Sequence, residues 1–397
     1  MTELNDENKI FQIKYNDFES FKIGDTSNFG EYTKGGVAYQ IKQPKYIENY
    51  DFLTRSAVIC NNSFDISDST KIGRAELLYM AFSGVHEFYL QNNCTLPELN
   101  NMDQAKRILE NVKKMYDVIK QNNIPWYSHI QNFDEKIVLN VARWAAANVP
   151  PVCGFFGGIL AQEIIKTTGK YVPINQWFIQ DFFEVAENVK EEADRSLKQC
   201  RYDEQIAIFG NEIQEKIQKS NIFMIGAGAT GCEFLKNFAM MGFCSDKNSK
   251  FTVTDNDHIE ISNLSRQFLF RRENVGESKS AIAVESVKEM NPNFNGIALQ
   301  GKVCSETEDI FNEEFWNSQN MIVYAVDSDE GRKYIDNKVV FYQKFGVDSG
   351  TLGTSARSQI IIPHKTLTYC DKASSSTTLT VPVCTLRHFP SLIQHCI

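Results

Sequence analysis

The residues best spaced for chemistry begin at Gly226-Ala227-Gly228-Ala229-Thr230-Gly231, a glycine turn between the apolar run Asn221 to Ile225 and a helical pattern from Cys232 to Met241. In a strand, turn and helix unit, such a turn lets phosphate oxygens reach backbone N–H groups at a helix N-terminus. Glycine suits it because a side chain would block the approach and the turn calls for positive φ. Gly226, Gly228, Ala229 and Gly231 form the candidate cradle. The next strand-like run, Lys250 to Thr254, ends at Asp255, an acid placed to accept hydrogen bonds from ribose hydroxyls. The competing reading is tight packing of strand on helix in a sheet that binds nothing, with Asp255 as a turn residue.

Ser262-Asn263-Leu264-Ser265-Arg266-Gln267-Phe268 then brings Asn263, Arg266 and Gln267 close behind the acid, and Lys279 follows in Gly276-Glu277-Ser278-Lys279-Ser280. Two cations so near suit a triphosphate, whose charge must be neutralised while its α-phosphorus is attacked. The plainer alternative is a surface salt bridge for Arg266 and a solvated charge in a first helical turn for Lys279, because most Lys and Arg are exposed. The apolar run Met321 to Val326 ends at Asp327, with Asp329 and Arg332 beyond it. Ligands of open α/β sheets bind beyond the carboxyl ends of the strands, so Asp327 is the candidate ligand for Mg²⁺ on the phosphates. An ordinary Asx turn is its alternative. Gly346 to Thr354, interrupted by glycines, reads either as a groove for an extended peptide tail or as a loose loop.

These residues need a scaffold. After about residue 197 apolar runs of strand length alternate with amphipathic helices: Ile222 to Ile225, Cys232 to Met241, Lys250 to Thr254, Ser278 to Met290 and Asn320 to Ala325. Such alternation predicts an α/β fold, a Rossmann-like parallel sheet wrapped by helices. Ahead of it, residues 1–50 mix short β-like runs such as Gly36 to Ile41 with turn residues, and 51–149 read as a helical bundle, with helices expected over Ala105 to Ile119 and Glu135 to Ala147. Pro150-Pro151 is expected to break that region, Gly157 to Ile165 to form a short apolar helix, and Val172 to Ile179 to be strand-like. Glu184 to Lys198, rich in charge, reads as a solvated linker or surface helix, so 150–196 is set apart from a domain over 197–372. The small polar residues from Asp371 to Thr380 suggest a flexible crossing loop that opens a last segment, 373–397.

With 42% hydrophobic and 23% charged residues, the 397-residue chain has the composition of an ordinary globular protein of two to three domains. A net charge of -9 removes any electrostatic reason to expect nucleic acid as a partner. No stretch approaches the ~20 apolar residues of a membrane span, and the ten cysteines show no CxxC pairs. A reducing, cytoplasmic and nuclear location is the expectation.

From about Gly35 to Ile397 the chain resembles the ubiquitin-activating enzymes. The resemblance is strongest at Arg201-Tyr202-Asp203 through Gly210, the glycine turn, Ser262 to Phe270, Met290-Asn291-Pro292, Ser349 to Thr354 and Val383-Cys384-Thr385-Leu386. It implies a ThiF/MoeB-type adenylation domain from about Arg201, with Pro150 to Phe183 closing a related inactive module behind a four-helix bundle. Residues 1–50 would belong to the first half of the catalytic-cysteine region. The resemblance further implies ATP and Mg²⁺ as cofactors: Asp255 on the ribose, Arg266 and Lys279 on the phosphates with Asn263 and Gln267, and Asp327 on the metal. Cys384 would be the catalytic thiol, after the flexible Ser/Thr stretch and Pro382.

The family reaction, carried over as an expectation, joins the C-terminal carboxylate of ubiquitin to AMP with loss of pyrophosphate. The Cys384 thiolate then attacks the adenylate and keeps ubiquitin as a thioester for a ubiquitin-conjugating enzyme. A free thiol near pKa ~8.5 needs help to ionise, and Arg387 and His388 are candidates by position. Departures are Thr230 in the glycine turn and Ser265 where many relatives carry Asn. The chain also starts late in the family pattern, without the half-module that normally lends an arginine to the phosphates. It stops soon after Cys384, before the domain that recruits the conjugating enzyme, so an internal fragment is expected, from a monomer with an internal pair of adenylation modules. A relative serving another ubiquitin-like modifier remains open, as does an NAD-dependent oxidoreductase, which would have no use for Lys279, Asp327 and Cys384 together.

Overall fold

The computed structural model describes residues 11, 14–15, 21–31, 64–65, 71–122, 129–168, 171–174, 177–187, 189–352 and 355–373. The β-like run expected over Gly36 to Ile41, the Ser/Thr-rich loop and Cys384 lie outside them. The chain divides into two compact units, Met1–Glu48 with Glu163–Pro173, and Asn49–Gln162 with Ile174–Ile397. In the first, β1 (Lys14–Tyr15) pairs antiparallel with β2 (Phe21–Lys22).

In the second unit, β3 (Phe64–Asp65) runs parallel to β4 (Trp177–Phe178), which is the part of the strand-like stretch expected over Val172 to Ile179 that is strand among the described residues. Three helices of the bundle region are described: α1 (Arg74–Gln91), α2 (Met102–Gln121) and α3 (Glu135–Arg143). Asn101 caps α2 by accepting from Gln104 N at 3.1 Å, and Asp134 caps α3 by accepting from Lys136 N at 2.9 Å. Ala105, Ile108, Leu109 and Val112 recur three and four apart on α2 and pack on Leu77, Met80 and Ala81 of α1 and Val138 and Val141 of α3. Helix α4 spans Pro150–Lys166 and starts at the prolines expected to break the chain. Proline is tolerated there because first-turn N–H groups lack intrahelical partners anyway.

The segment expected to be a solvated linker is tied down. Arg195 donates to the carbonyls of Glu191 at 2.9 Å and Lys190 at 3.0 Å, and Asn211 Nδ2 donates to Ser196 O at 3.0 Å and Asp194 Oδ2 at 3.1 Å. Helices α5 (Asp203–Phe209) and α6 (Asn211–Gln218) follow. The bundle meets this region through Asn100 Nδ2 and Trp144 Nε1, both donating to Ala207 O at 3.0 Å.

Next come β5 (Ile222–Ile225), α7 (Ala229–Met241), β6 (Phe251–Thr254), α8 (Lys279–Met290), β7 (Gly296–Leu299), α9 (Glu313–Ser318), β8 (Met321–Tyr324), α10 (Asp329–Phe341), β9 (Phe345–Leu352), β10 (Ser355–Ile361) and α11 (Tyr369–Ala373). The six strands form one sheet in the order β10-β9-β8-β5-β6-β7, parallel except for the β9–β10 hairpin. Strands β5 and β6 are buried throughout, as expected for strands covered on both faces. Leu235 and Ala239 of α7 and Ala283, Val284 and Val287 of α8 fill one core; Trp316 of α9, Ile335 and Val339 of α10, and Tyr324 fill the other.

The register places the site. Ile225 pairs with both Thr254 and Tyr324, so β5, β6 and β8 end level and hand the chain to Gly226, Asp255 and Ala325 at one edge. The strand order reverses between β5 and β8, which is where ligands of such sheets bind.

Candidate nucleotide site

Gly226 leaves β5 at φ +98, and Gly228 serves as N-cap of α7. A Cβ on Gly226 would stand 2.6 Å from Ala325 O, and one on Gly231 2.3 Å from Gly226 O, so backbone packing forbids side chains at both. A Cβ on Gly228 would meet nothing within 4 Å. Of the three glycines of this turn, Gly228 alone faces open space, and it does so over a helix N-terminus, with Ala229 as the first helical residue.

Asp255 accepts from Ala227 N at 2.6 Å through Oδ2 and from Asp257 N at 2.8 Å through Oδ1. Each oxygen keeps a lone pair for a further donor such as a ribose hydroxyl. Burial pushes the Asp255 carboxyl above its ordinary range, opposed by the Ala227 and Asp257 N–H groups and by the Lys279 charge. A short ladder holds these groups together. Lys279 N donates to Asp257 O at 3.1 Å, Ile259 N to Glu277 O at 2.9 Å, and Gly276 N to Ile259 O at 2.9 Å. Lys279 is therefore not the solvated charge of the plainer alternative. It is buried, 7% exposed, with Nζ 2.8 Å from Asp257 Oδ2.

Asn263 and Gln267 are both buried. Asn263 Oδ1 caps its own 3-10 turn by accepting from Glu260 N at 3.0 Å. Gln267 Oε1 is buried without a hydrogen-bond partner, a polar atom that a ligand donor could satisfy. Arg266 is exposed and donates through one Nη to Ser262 O at 3.1 Å, which leaves most of its guanidinium donors for an anion. Asp327 is exposed beyond β8 and makes no hydrogen bond or ion pair among the described residues, which leaves both its oxygens available to a cation. The structure thus gathers Gly228, Asp255, Lys279 and Asp327 around the strand ends, and the donor set fits a magnesium nucleotide. Cys384 lies outside the described residues.

The whole chain aligns with "Ubiquitin-activating enzyme E1 2" of Triticum aestivum at 37% identity, with "Ubiquitin-activating enzyme E1 1" of Arabidopsis thaliana at 38%, and with "Ubiquitin-like modifier-activating enzyme 1" of Homo sapiens at 37%. Three family models match in order: the ubiquitin-activating enzyme E1 FCCH domain over residues 1–42, the E1 four-helix bundle over 46–116, and the ThiF family over 202–397. The chain belongs to the ubiquitin-activating enzyme E1 family. It spans 36% to 37% of the length of these relatives. Its sheet domain is ThiF-like, α/β with a mostly parallel sheet behind a helical bundle. A solved structure of E. coli MccB with succinimide aligns over 44% of this chain and 51% of that one at 20% identity, with a TM-score of 0.39, too slight a likeness to argue from.

In this E1-family chain the spacing of motifs misses two acids that the structure brings to the site, Asp257 and Asp348, and a third buried acid, Asp336, whose partners are Tyr324, Tyr369 and Cys370 and none of the site residues. Asp257, two residues past Asp255, is the partner of Lys279. Asp348 is fully buried in β9 and pairs with Arg332, whose guanidinium also donates to Ser349 O at 3.1 Å and to Val326 O, next to Asp327. Burial raises the Asp348 carboxyl, with Arg332 and Arg357 opposing. Asp336 is buried on α10 and receives Tyr324 OH at 3.0 Å. The available signals were the alternation of 255 and 257, which puts both acids on one side of an extended segment, and two acids inside otherwise apolar patterns. Of the glycine stretch Gly346 to Thr354, the part to Leu352 is not a loose loop: it belongs to strand β9, paired with β10 along its length and with β8 as far as Asp348.

Proposed function

We propose that this chain carries the ATP-dependent adenylation site of a ubiquitin-activating enzyme and the thiol that receives the activated modifier. The observation behind the reading is a glycine turn at the switch point of a ThiF-like sheet, ringed by Asp255, Lys279 and Asp327, in a chain alignable with E1 enzymes over its full length. Gly228 and the α7 N-terminus would face phosphate, and Asp255 the ribose. Lys279, Arg266, Asn263 and Gln267 would neutralise and orient the phosphate chain.

Asp327 would hold Mg²⁺, which when bound supplies positive charge opposite the phosphate oxygens. The residues then act by alignment: they fix the α-phosphorus so that the modifier's terminal carboxylate attacks in line and pyrophosphate leaves. Cys384 thiolate attacks the resulting mixed anhydride, forms a thioester and expels AMP. Domain limits of 1–50, 51–149, 150–196, 197–372 and 373–397, a conjugating enzyme as later partner, and a cytoplasmic and nuclear location belong to the same reading.

The experiment supplies the chain with Mg-ATP, radiolabelled pyrophosphate and ubiquitin or another purified modifier. Exchange that requires the modifier, and a reducible conjugate lost in Cys384→Ala while exchange persists, is expected. Nucleotide binding without modifier-dependent exchange would defeat the proposal.

A further inference from the structure

Helix α10 carries Asp329, Arg332 and Asp336 on one face, three and four residues apart. Arg332 holds the sheet edge beside Asp327, whereas Asp336 holds something else. Its Oδ1 accepts from Tyr324 OH at 3.0 Å and from Tyr369 N at 3.2 Å, and its Oδ2 accepts from Cys370 N at 2.9 Å. Those amides are the first two of α11, donors that an isolated helix leaves unpaired, and Asp336 caps them from another helix. Asp329 reinforces the grip by accepting from Tyr369 OH, while the Arg357 guanidinium lies 4.4 Å from the Tyr369 ring centroid. Asp336 is 1% exposed, so no water competes for these bonds. Residues 369–370 lie just before the limit of 372 proposed for the sheet domain, and Cys384 follows fourteen residues after Cys370.

We propose that Asp336 is a positioning residue for the thioester step: its carboxylate clasps the exit of the sheet domain at Tyr369 and Cys370, and so fixes the point from which the Cys384 segment departs. This rests on the adenylation and thioester reading above. Adenylation uses the edge held by Arg332 and does not need the clasp; transfer to Cys384 does.

The test compares the full wild-type chain with Asp336→Asn and Tyr324→Phe. Asparagine keeps the shape but turns an N–H toward one of the two backbone donors. Amide hydrogen exchange at Tyr369 and Cys370 is expected to quicken tenfold or more in Asp336→Asn, with β5 and β6 amides unchanged. Tyr324→Phe keeps both backbone bonds and should leave exchange at 369–370 within about threefold. With Mg-ATP and modifier, Asp336→Asn should retain pyrophosphate exchange within about threefold yet form the Cys384 thioester at least tenfold more slowly. Unchanged protection at 369–370, protection lost equally across the sheet, or equal loss of both half-reactions would overturn the proposal. A wild-type chain that exchanges no pyrophosphate sinks the adenylation reading and the role with it, while the amide data still report whether the clasp exists.

Discussion

Gly226 and Gly228 sit two residues apart in one turn, yet they answer different demands, and substituting alanine at each separates them. At Gly226, φ is +98 and the new Cβ would lie 2.6 Å from Ala325 O, an atom of the adjoining strand end that cannot step aside. Forcing that backbone conformation on alanine costs about 1–3 kcal/mol, and overpacking adds about 1–3 kcal/mol. Gly226→Ala is therefore expected to lower stability by about 2–6 kcal/mol, seen as a fall of about 1 M or more in the urea midpoint. At Gly228, φ is -76 and nothing lies within 4 Å of the added methyl, so only the N-cap preference is lost, about 1 kcal/mol. That methyl would occupy the space assigned to phosphate. Gly228→Ala should therefore lose ATP affinity by tenfold or more, about 1.4 kcal/mol, in a calorimetric titration. If Gly226→Ala melts with the wild type, the reasoning about the turn is wrong; if Gly228→Ala binds ATP like the wild type, phosphate does not rest on this helix.

Removing the Arg332 guanidinium in Arg332→Met strands Asp348, fully buried, with only the half-exposed Arg357 beside it at 3.1 Å, at an expected loss of about 3–5 kcal/mol. Denaturant melts of the single variants and of Arg332→Met/Asp348→Asn should show losses that do not add, and a coupling below about 0.5 kcal/mol would refute the pairing. Asp255, raised by burial, gives opposite signs for folding and binding. Its folded pKa exceeds the unfolded value near ~3.9, so its contribution to fold stability is present below that value and fades as pH rises through the folded pKa. The ionised form is the better acceptor for ribose hydroxyls, so ATP affinity should drop as pH falls through the same window, and this step should vanish in Asp255→Asn. Wild-type affinity that stays flat while the fold gains stability on acidification would remove Asp255 from the ribose.

Much of the site was legible because three of its residues are punctuation. Gly226 interrupts an apolar run, and Asp255 and Asp327 each lie just beyond one, so the ends of β5 and β6 fell where expected and β8 ended one to two residues early. Strands at the sheet edges were harder. Gly296-Ile297-Ala298-Leu299 is an edge strand of small and half-exposed residues, and Ser355 to Ile361 forms the other edge, so neither carries the solid apolar signature of a buried strand. Strand β9 looked loose because of its glycines, but a Cβ on Gly350 would stand 2.9 Å from the Arg332 guanidinium; the glycine makes room for a side chain eighteen residues earlier. Arg332 with Asp348, and Asp336 with Tyr369, are partnerships across the fold that no local pattern encodes.

Helices α7 and α8 both start at the nucleotide edge, and both are moored at their far ends. Arg201 donates to Asn291 Oδ1 at 3.1 Å and Met290 O at 2.9 Å, and Asn291 Nδ2 donates to Tyr202 OH at 2.9 Å and Ala239 O at 2.7 Å. With thirteen and twelve residues between fixed ends, each helix acts as a ruler of about 18–20 Å. Inserting or deleting one residue in either would turn every later side chain by about 100° and shift the glycine turn or Lys279 by about 1.5 Å relative to the mooring. Among homologous chains, length between Tyr202 and Asn291 should therefore vary in the loops after these helices and not within them.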